Sequence, residues 1–137
     1  MNLVQRNAKK LFPKSRRLLR HADFERVYKQ GRRHFAAHMT VFYLRRPEPE
    51  DDKHEQSGLR VGFTVGKVLG GSVQRNRMRR RLREAVRLNG LQGKANADVV
   101  INPKRSLLGA EFTDLQNQIA KAFDVIEKTL KKEQPRN

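Results

Sequence analysis

The sequence has no cysteine and no tryptophan, and only 14 acidic residues stand against 31 lysines and arginines. Without thiols there are no disulfides and no thiolate metal sites, which suits a reducing compartment. No stretch approaches the roughly 20 apolar residues that span a bilayer. The opening, Met1 to Lys14, is basic but lacks the apolar run of a secretory signal. Nor does a long helix set Lys or Arg beside a broad face of Trp, Phe and Leu, as a membrane-surface helix would. The expectation is a soluble cytoplasmic chain with no membrane partner.

Acids are also badly placed for chemistry. Glu48, Glu50, Asp51, Asp52 and Glu55 crowd between Pro47 and Gly58, where prolines and charge predict a solvated connection that does not fix ligand geometry. His21 and His54 stand alone. His34 and His38 are four apart on an expected strand, a spacing that gives no compact pair. A protein nuclease needs carboxylates to hold metal or a histidine pair for proton transfer. Neither is apparent, so no catalytic residue and no protein-held metal site is expected.

What the chain does have is cationic charge. The net +17 over 137 residues favours a polyanionic partner, because such a surplus repels itself in the folded state. At this length one domain is expected, with hydrophobic residues at 36% supplying a modest core. The expected organisation is a flexible basic arm over residues 1–17, one α+β domain over 18–130, and a frayed tail over 131–137.

Within the domain, Phe24, Val27 and Tyr28 recur at helical spacing and Gly31 follows as a C-terminal cap. His34 to Leu44 reads as a strand, with Val41 and Tyr43 on one face and Thr40, Phe42 and Leu44 on the other. Leu59 to Gly66 alternates as a second strand. Gly70 and Gly71 make a turn, and Ser72 is the expected N-cap of a helix running to about Asn89 before Gly90. Ala97 to Ile101 is a buried strand. Leu115, Ile119, Phe123, Ile126 and Leu130 then mark an amphipathic helix that closes over the sheet. Strands mixed with segregated helices predict a small α+β sandwich.

The segment from Val73 to Arg87 is the most informative. On a helix, Met78, Leu82, Ala85 and Val86 share one arc, while Arg75, Asn76, Arg79, Arg80, Arg83 and Arg87 are expected opposite, with Arg77 and Arg81 flanking. Guanidinium groups grip phosphate through two parallel hydrogen bonds and stack on bases. Like charges four apart, as in Arg75–Arg79–Arg83, weaken an isolated helix by a few tenths of a kcal/mol per pair. Glu84 offsets part of this through Arg80 or Arg87, so the remaining counter-charge is expected from outside. A basic DNA-gripping helix would continue into heptads; Asn89-Gly90 ends this one, and RNA is preferred.

These residues resemble a family. Arg60-Val-Gly-Phe-Thr-Val-Gly-Lys67, then Gly70, then Val73-Gln-Arg-Asn-Arg-Met-Arg-Arg-Arg-Leu-Arg-Glu84, is similar to the signature of the bacterial ribonuclease P protein subunit. Phe24, Tyr28 and Gly31 upstream and Ala97-Asp-Val-Val-Ile101 downstream extend the resemblance over about residues 16–130. Two steps depart from it: Gly66-Lys67-Val68 replaces a Ser-Lys-Lys step, and Asn102-Pro103 replaces a small residue and an Arg.

The resemblance implies a mostly antiparallel sheet with about three helices and a left-handed βαβ crossover. It implies a subunit that helps a catalytic RNA remove the 5′ leader of precursor tRNA, without an obligatory protein partner. RNA contacts map to Lys67, Arg75, Asn76, Arg77, Arg79, Arg80 and Arg83, and a leader-binding cleft to Phe24, Tyr28 and Phe42. Hydrolysis, with Mg2+ held mainly by the RNA subunit, falls to the RNA. The competing expectation is a ribosomal or other structural RNA-binding protein with no part in cleavage.

Overall fold

A computed structural model describes Phe12 and residues 14–47, 58–89 and 94–133. The elements are α1 (His21–Gln30), β1 (Arg32–Phe35), β2 (Met39–Arg45), β3 (Leu59–Phe63), α2 (Ser72–Asn89), β4 (Ala97–Pro103) and α3 (Phe112–Lys132). Short 3-10 turns lie at Lys14–Arg16, Lys67–Leu69 and Arg105–Gly109. The acidic stretch at 48–57, His54, Gly90, most of the expected arm and residues 134–137 lie outside the described residues.

The sheet order is β1-β2-β4-β3. β1 with β2 and β2 with β4 are antiparallel, while β3 and β4 are parallel and joined through α2. This is the expected α+β class: a mixed, mostly antiparallel four-stranded sheet with three helices. No helix among the described residues is long and apolar enough to cross a membrane.

Three elements differ from the sequence expectation. The single strand expected over His34–Leu44 is a hairpin, closed where Ala36 N–H donates to Met39 O at 2.9 Å. Its turn, Ala36-Ala37-His38, carries none of the Gly, Pro or Asn signals that mark a tight turn. The strand beginning at Leu59 ends at Phe63 rather than Gly66. The first bond of α2 runs from Arg75 N–H to Gly71 O, so Gly71 occupies the cap and Ser72 lies inside the helix.

Alternation sorts the sheet into two faces. Met39, Val41, Tyr43, Leu59, Val61, Ala97, Val99 and Ile101 are buried on one face. Met78, Leu82, Ala85 and Val86 of α2, and Leu115, Ile119, Phe123, Ile126 and Leu130 of α3, belong to the same core cluster. On the other face, where α1 docks, a smaller cluster forms from Leu18, Val27 and Val100, with Phe24, Tyr28, Phe42 and Leu44 packed against it.

Gly31 ends α1 as expected, though for a different reason. Its φ of −80° is open to any residue. A Cβ there would lie 2.4 Å from Val27 O and 2.7 Å from Tyr43 O, so glycine is required by the close approach of helix and strand.

The described part of the expected arm is tied down. Leu18 N–H donates to Val61 O at 2.9 Å, Arg16 Nε donates to Leu59 O at 2.7 Å, and Arg17 bridges Val61. These bonds cover the outer edge of β3, which would otherwise present unpaired backbone. Phe12 is buried against the edge of Phe63, with the Arg17 guanidinium 5.5 Å from its ring centre.

Candidate nucleic-acid interface

Helix α2 buries Met78, Leu82, Ala85 and Val86 completely and leaves Asn76, Arg77, Arg80 and Arg83 exposed. Burial of the four apolar residues on sheet and α3 fixes the helix in rotation, and rotation decides which arginines face outward. Arg79 is half-buried and donates to Asn76 Oδ1 at 3.0 Å. Glu84 pairs with Arg87, not Arg80, and that bond raises the Arg87 pKa. Among the described residues no acid pairs with Arg77, Arg80 or Arg83. Three guanidiniums on one helix face therefore have no acidic partner among the described residues.

Arg75 does not stand opposite the apolar stripe. It is half-buried, and its Nε is buried without a partner, as is Nε of Arg81, whose guanidinium reaches Ala110 O. At 100° per residue, Arg75 falls between Leu82 and Val86, so the expected wall is narrower than the sequence suggested and Arg75 leans across its border. Lys67 is exposed in the 3-10 turn before Gly70, whose φ of +136° favours glycine.

The α1 face of the sheet consists of rows across the strands. The strand registers align Leu44, Asp98 and Arg60, then Phe42, Val100 and Gly62. Thr40 lies opposite Asn102, and Thr64 follows the Phe63–Ile101 pair with its N–H on Ile101 O. The first row is ionic. Asp98 is fully buried and accepts from Arg60 Nε and Nη2 at 2.8 Å, Arg46 Nη1 at 2.9 Å and Arg26 Nη2 at 2.9 Å. Burial pushes its carboxyl up, but the bonds and charges of Arg60 and Arg46 outweigh this and hold it below the ordinary carboxylate range. The Arg60 pKa is raised in turn, chiefly by its bond to Asp98.

The expected cleft residues, all half-buried, gather at the second row: Phe42 lies in it, and Phe24 and Tyr28 of α1 pack with it on the Leu18–Val27–Val100 cluster. Phe24 packs on Gly62, where a Cβ would sit 2.4 Å from Phe24 Cζ. Tyr28 meets Phe42 edge to face, with ring centres 4.9 Å apart. Arg33 covers the Phe42 ring at 5.3 Å. The Tyr28 hydroxyl reaches the third row, 2.6 Å from Thr64 Oγ1 and 2.9 Å from Asn102 Oδ1. A recess lined by Leu18, Phe24, Phe63, Arg79 and Arg83 connects this aromatic row with the side of α2. The Phe24 ring and the guanidiniums of Arg79 and Arg83 thus border one recess.

Sequence reasoning missed the Asp98 cluster, Arg33 and the Thr64–Asn102 pair. An acid inside the apolar run Ala97–Ile101 was a visible signal, since a buried carboxylate needs cationic partners. Among the described residues His38 Nδ1 meets Ser106 Oγ at 2.8 Å, not another histidine, and His34 has its pKa lowered by burial and by Lys121. No group of three or more His, Asp or Glu among the described residues is placed to hold a metal ion.

Comparison with known proteins gives a consistent family. The Ribonuclease P family model matches residues 12–127. The ribonuclease P protein component of Maridesulfovibrio salexigens is 36% identical over 100 residues, covering 73% of this chain and 76% of that protein. That of Finegoldia magna is 31% identical over 106 residues, covering 77% and 86%. Among solved structures, the RNase P protein of Staphylococcus aureus superposes with a TM-score of 0.65 at 22% identity, covering 83% of this chain and 97% of that one. The Thermotoga maritima protein gives 0.67 at 21% identity, covering 81% and 97%. At those identities the structures speak to the fold.

Proposed function

The chain belongs to the family of ribonuclease P protein components, whose role lies in tRNA 5′ processing, and from that premise we propose how its surface serves that role. The outward face of α2, with Asn76, Arg77, Arg80 and Arg83 and with Arg75, Arg79 and Lys67 at its borders, docks on the catalytic RNA of ribonuclease P. The row of Phe24, Tyr28 and Phe42 takes the single-stranded 5′ leader of precursor tRNA. The observation that carries this reading is that Arg77, Arg80 and Arg83 on α2 have no acidic partner among the described residues.

Two RNAs brought together repel through their phosphates. A cationic face between them neutralises phosphates and releases condensed counterions, which strengthens association at low salt. Stacking of leader bases on aromatic rings contributes about 1–3 kcal/mol per base with little sequence demand. Hydrolysis belongs to the RNA. The one fully buried carboxylate among the described residues, Asp98, is saturated by arginines, so we place the Mg2+ of the reaction mainly on the RNA.

Cleavage of precursor tRNA by the chain alone, by ribonuclease P RNA alone at low Mg2+, and by the two combined tests this. Stimulation only in the mixture is expected. Cleavage by the chain alone would assign the chemistry to protein. Binding to the RNA without stimulation would indicate a structural RNA-binding protein.

A further inference from the structure

Residues 14–17 fall in the stretch whose composition predicts a loose arm, yet they are pinned to β3 together with Leu18. Leu18 N–H bonds to Val61 O, Arg17 bridges Val61, and Arg16 Nε bonds to Leu59 O. So held, the segment leaves Lys14, Arg17 and Arg20 exposed. These three line a recess of about 460 Å³ with Arg60 and Asp23. Asp23 is the one acid among its described lining residues, and it is shared between Arg26 at 3.3 Å and Arg60 at 3.8 Å. Among the described residues no acid pairs with Lys14, Arg17 or Arg20. Arg17 also lines the recess of Phe24, Phe63, Arg79 and Arg83, and the larger one over Arg77, Arg80, Arg83 and Arg87. Three recesses therefore meet at one guanidinium. Its bond to Phe12 O at 3.0 Å and the Phe12 ring 5.5 Å away hold it there.

We infer that residues 14–20 form a second phosphate-binding element, along which the catalytic RNA continues from the outward face of α2, past Arg17, to Lys14 and Arg20. This rests on the reading that α2 docks on that RNA. A merely solvated surface mixes charges of both signs; here the cations stand together and the nearest acid is already engaged. An RNA strand carries one negative charge per nucleotide, so a line of cations along the β3 edge meets successive phosphates and releases their counterions. Guanidinium forks at Arg17 and Arg20 suit phosphate oxygens through paired hydrogen bonds. Pinning matters as well, because a cation on a segment already fixed to the sheet gives up less freedom on binding than one on a loose arm. Neither Tyr28 nor Phe42 lines any of the three recesses, whereas Arg83 of α2 lines two of them. That assigns the track to the RNA on α2 and not to the leader.

The test measures binding of the full chain to ribonuclease P RNA, without tRNA, across a salt series. It compares the wild type with a Lys14→Gln, Arg20→Gln double variant and with the charge-preserving Lys14→Arg, Arg20→Lys pair. Both side chains are exposed, so circular dichroism and Tm should match the wild type in all three. Each lost phosphate contact lowers the log–log slope by roughly 0.7–0.9, so the Gln variant should be shallower by about 1–2 while the charge-preserving variant keeps the wild-type slope. Equal slopes for wild type and Gln variant overturn the inference. So does a charge-preserving variant that loses as much as the Gln variant. A loss that appears only once leader-bearing precursor tRNA is added also overturns it and gives the recess to the leader. If the Arg77→Gln, Arg80→Gln, Arg83→Gln chain has a shallower slope and the Lys14→Gln, Arg20→Gln chain does not, only the role of residues 14–20 falls. If neither set moves the slope, the docking of α2 fails with it.

Discussion

Replacing Asp98 by asparagine keeps the shape of the side chain and removes its charge. The structure then leaves Arg46 and Arg60, with side chains 10% and 20% exposed, facing each other without the carboxylate between them. Removing one partner of a buried ion pair costs about 3–5 kcal/mol. Partial access of both guanidiniums to water, together with the half-buried Arg26, puts the expected loss near the lower end, about 3 kcal/mol. That is a large share of the 5–15 kcal/mol typical of a domain. Urea denaturation at pH 7 measures it.

The same variant carries a pH signature. Despite burial, the bonds and charges of Arg60 and Arg46 hold the folded-state pKa of Asp98 below the ordinary carboxylate range. A depressed carboxylate contributes stability that is present above the unfolded pKa and disappears as pH falls through the folded one. The gap between wild type and Asp98→Asn is therefore full at neutral pH and closes below about pH 4. A gap under 1 kcal/mol at pH 7, or one that persists unchanged at acid pH, would refute the reading of Asp98 as the charged centre of the Arg60, Arg46 and Arg26 cluster.

Tyr28→Ala removes a stacking surface and should weaken leader-bearing substrate more than mature tRNA, by a margin worth about 1–3 kcal/mol; equal losses in a binding assay would return Tyr28 to a packing role. Gly62→Ala pushes a methyl group against the Phe24 ring and should destabilise by about 1–3 kcal/mol, read as a lowered Tm; an unchanged Tm would mean that α1 yields freely. Pairing Gly62→Ala with Phe24→Leu should recover part of the loss.

Periodic elements were legible because burial imposes their period. The stripes of α2 and α3 follow from spacings of three and four, and all of their apolar positions are buried. The hairpin turn at residues 36–38 was not legible, because its residues are ordinary helix and strand formers. Arg75 was misplaced because charge outweighed angle: its helical position lies within the apolar arc, and a long side chain lets its head reach out from there. The Asp98 cluster joins residues 38 and 72 apart in sequence, Arg60 and Arg26. No spacing rule brings such residues together; only the sheet register and the docking of α1 do. Phe24, Tyr28 and Phe42 do lie together on one cluster, yet their partners Gly62, Arg33 and Asn102 became apparent only across strands.

In the proposed function, α2 meets RNA through guanidiniums that no acid among the described residues neutralises. The most direct test of that contact is the salt dependence of binding to ribonuclease P RNA, comparing the wild-type chain with an Arg77→Gln, Arg80→Gln, Arg83→Gln triple variant. Each lost phosphate contact lowers the log–log slope by roughly 0.7–0.9, so the variant's slope should be shallower by about 2–3 with its fold intact by circular dichroism. A wild-type slope near zero, or identical slopes for the two chains, would contradict the account.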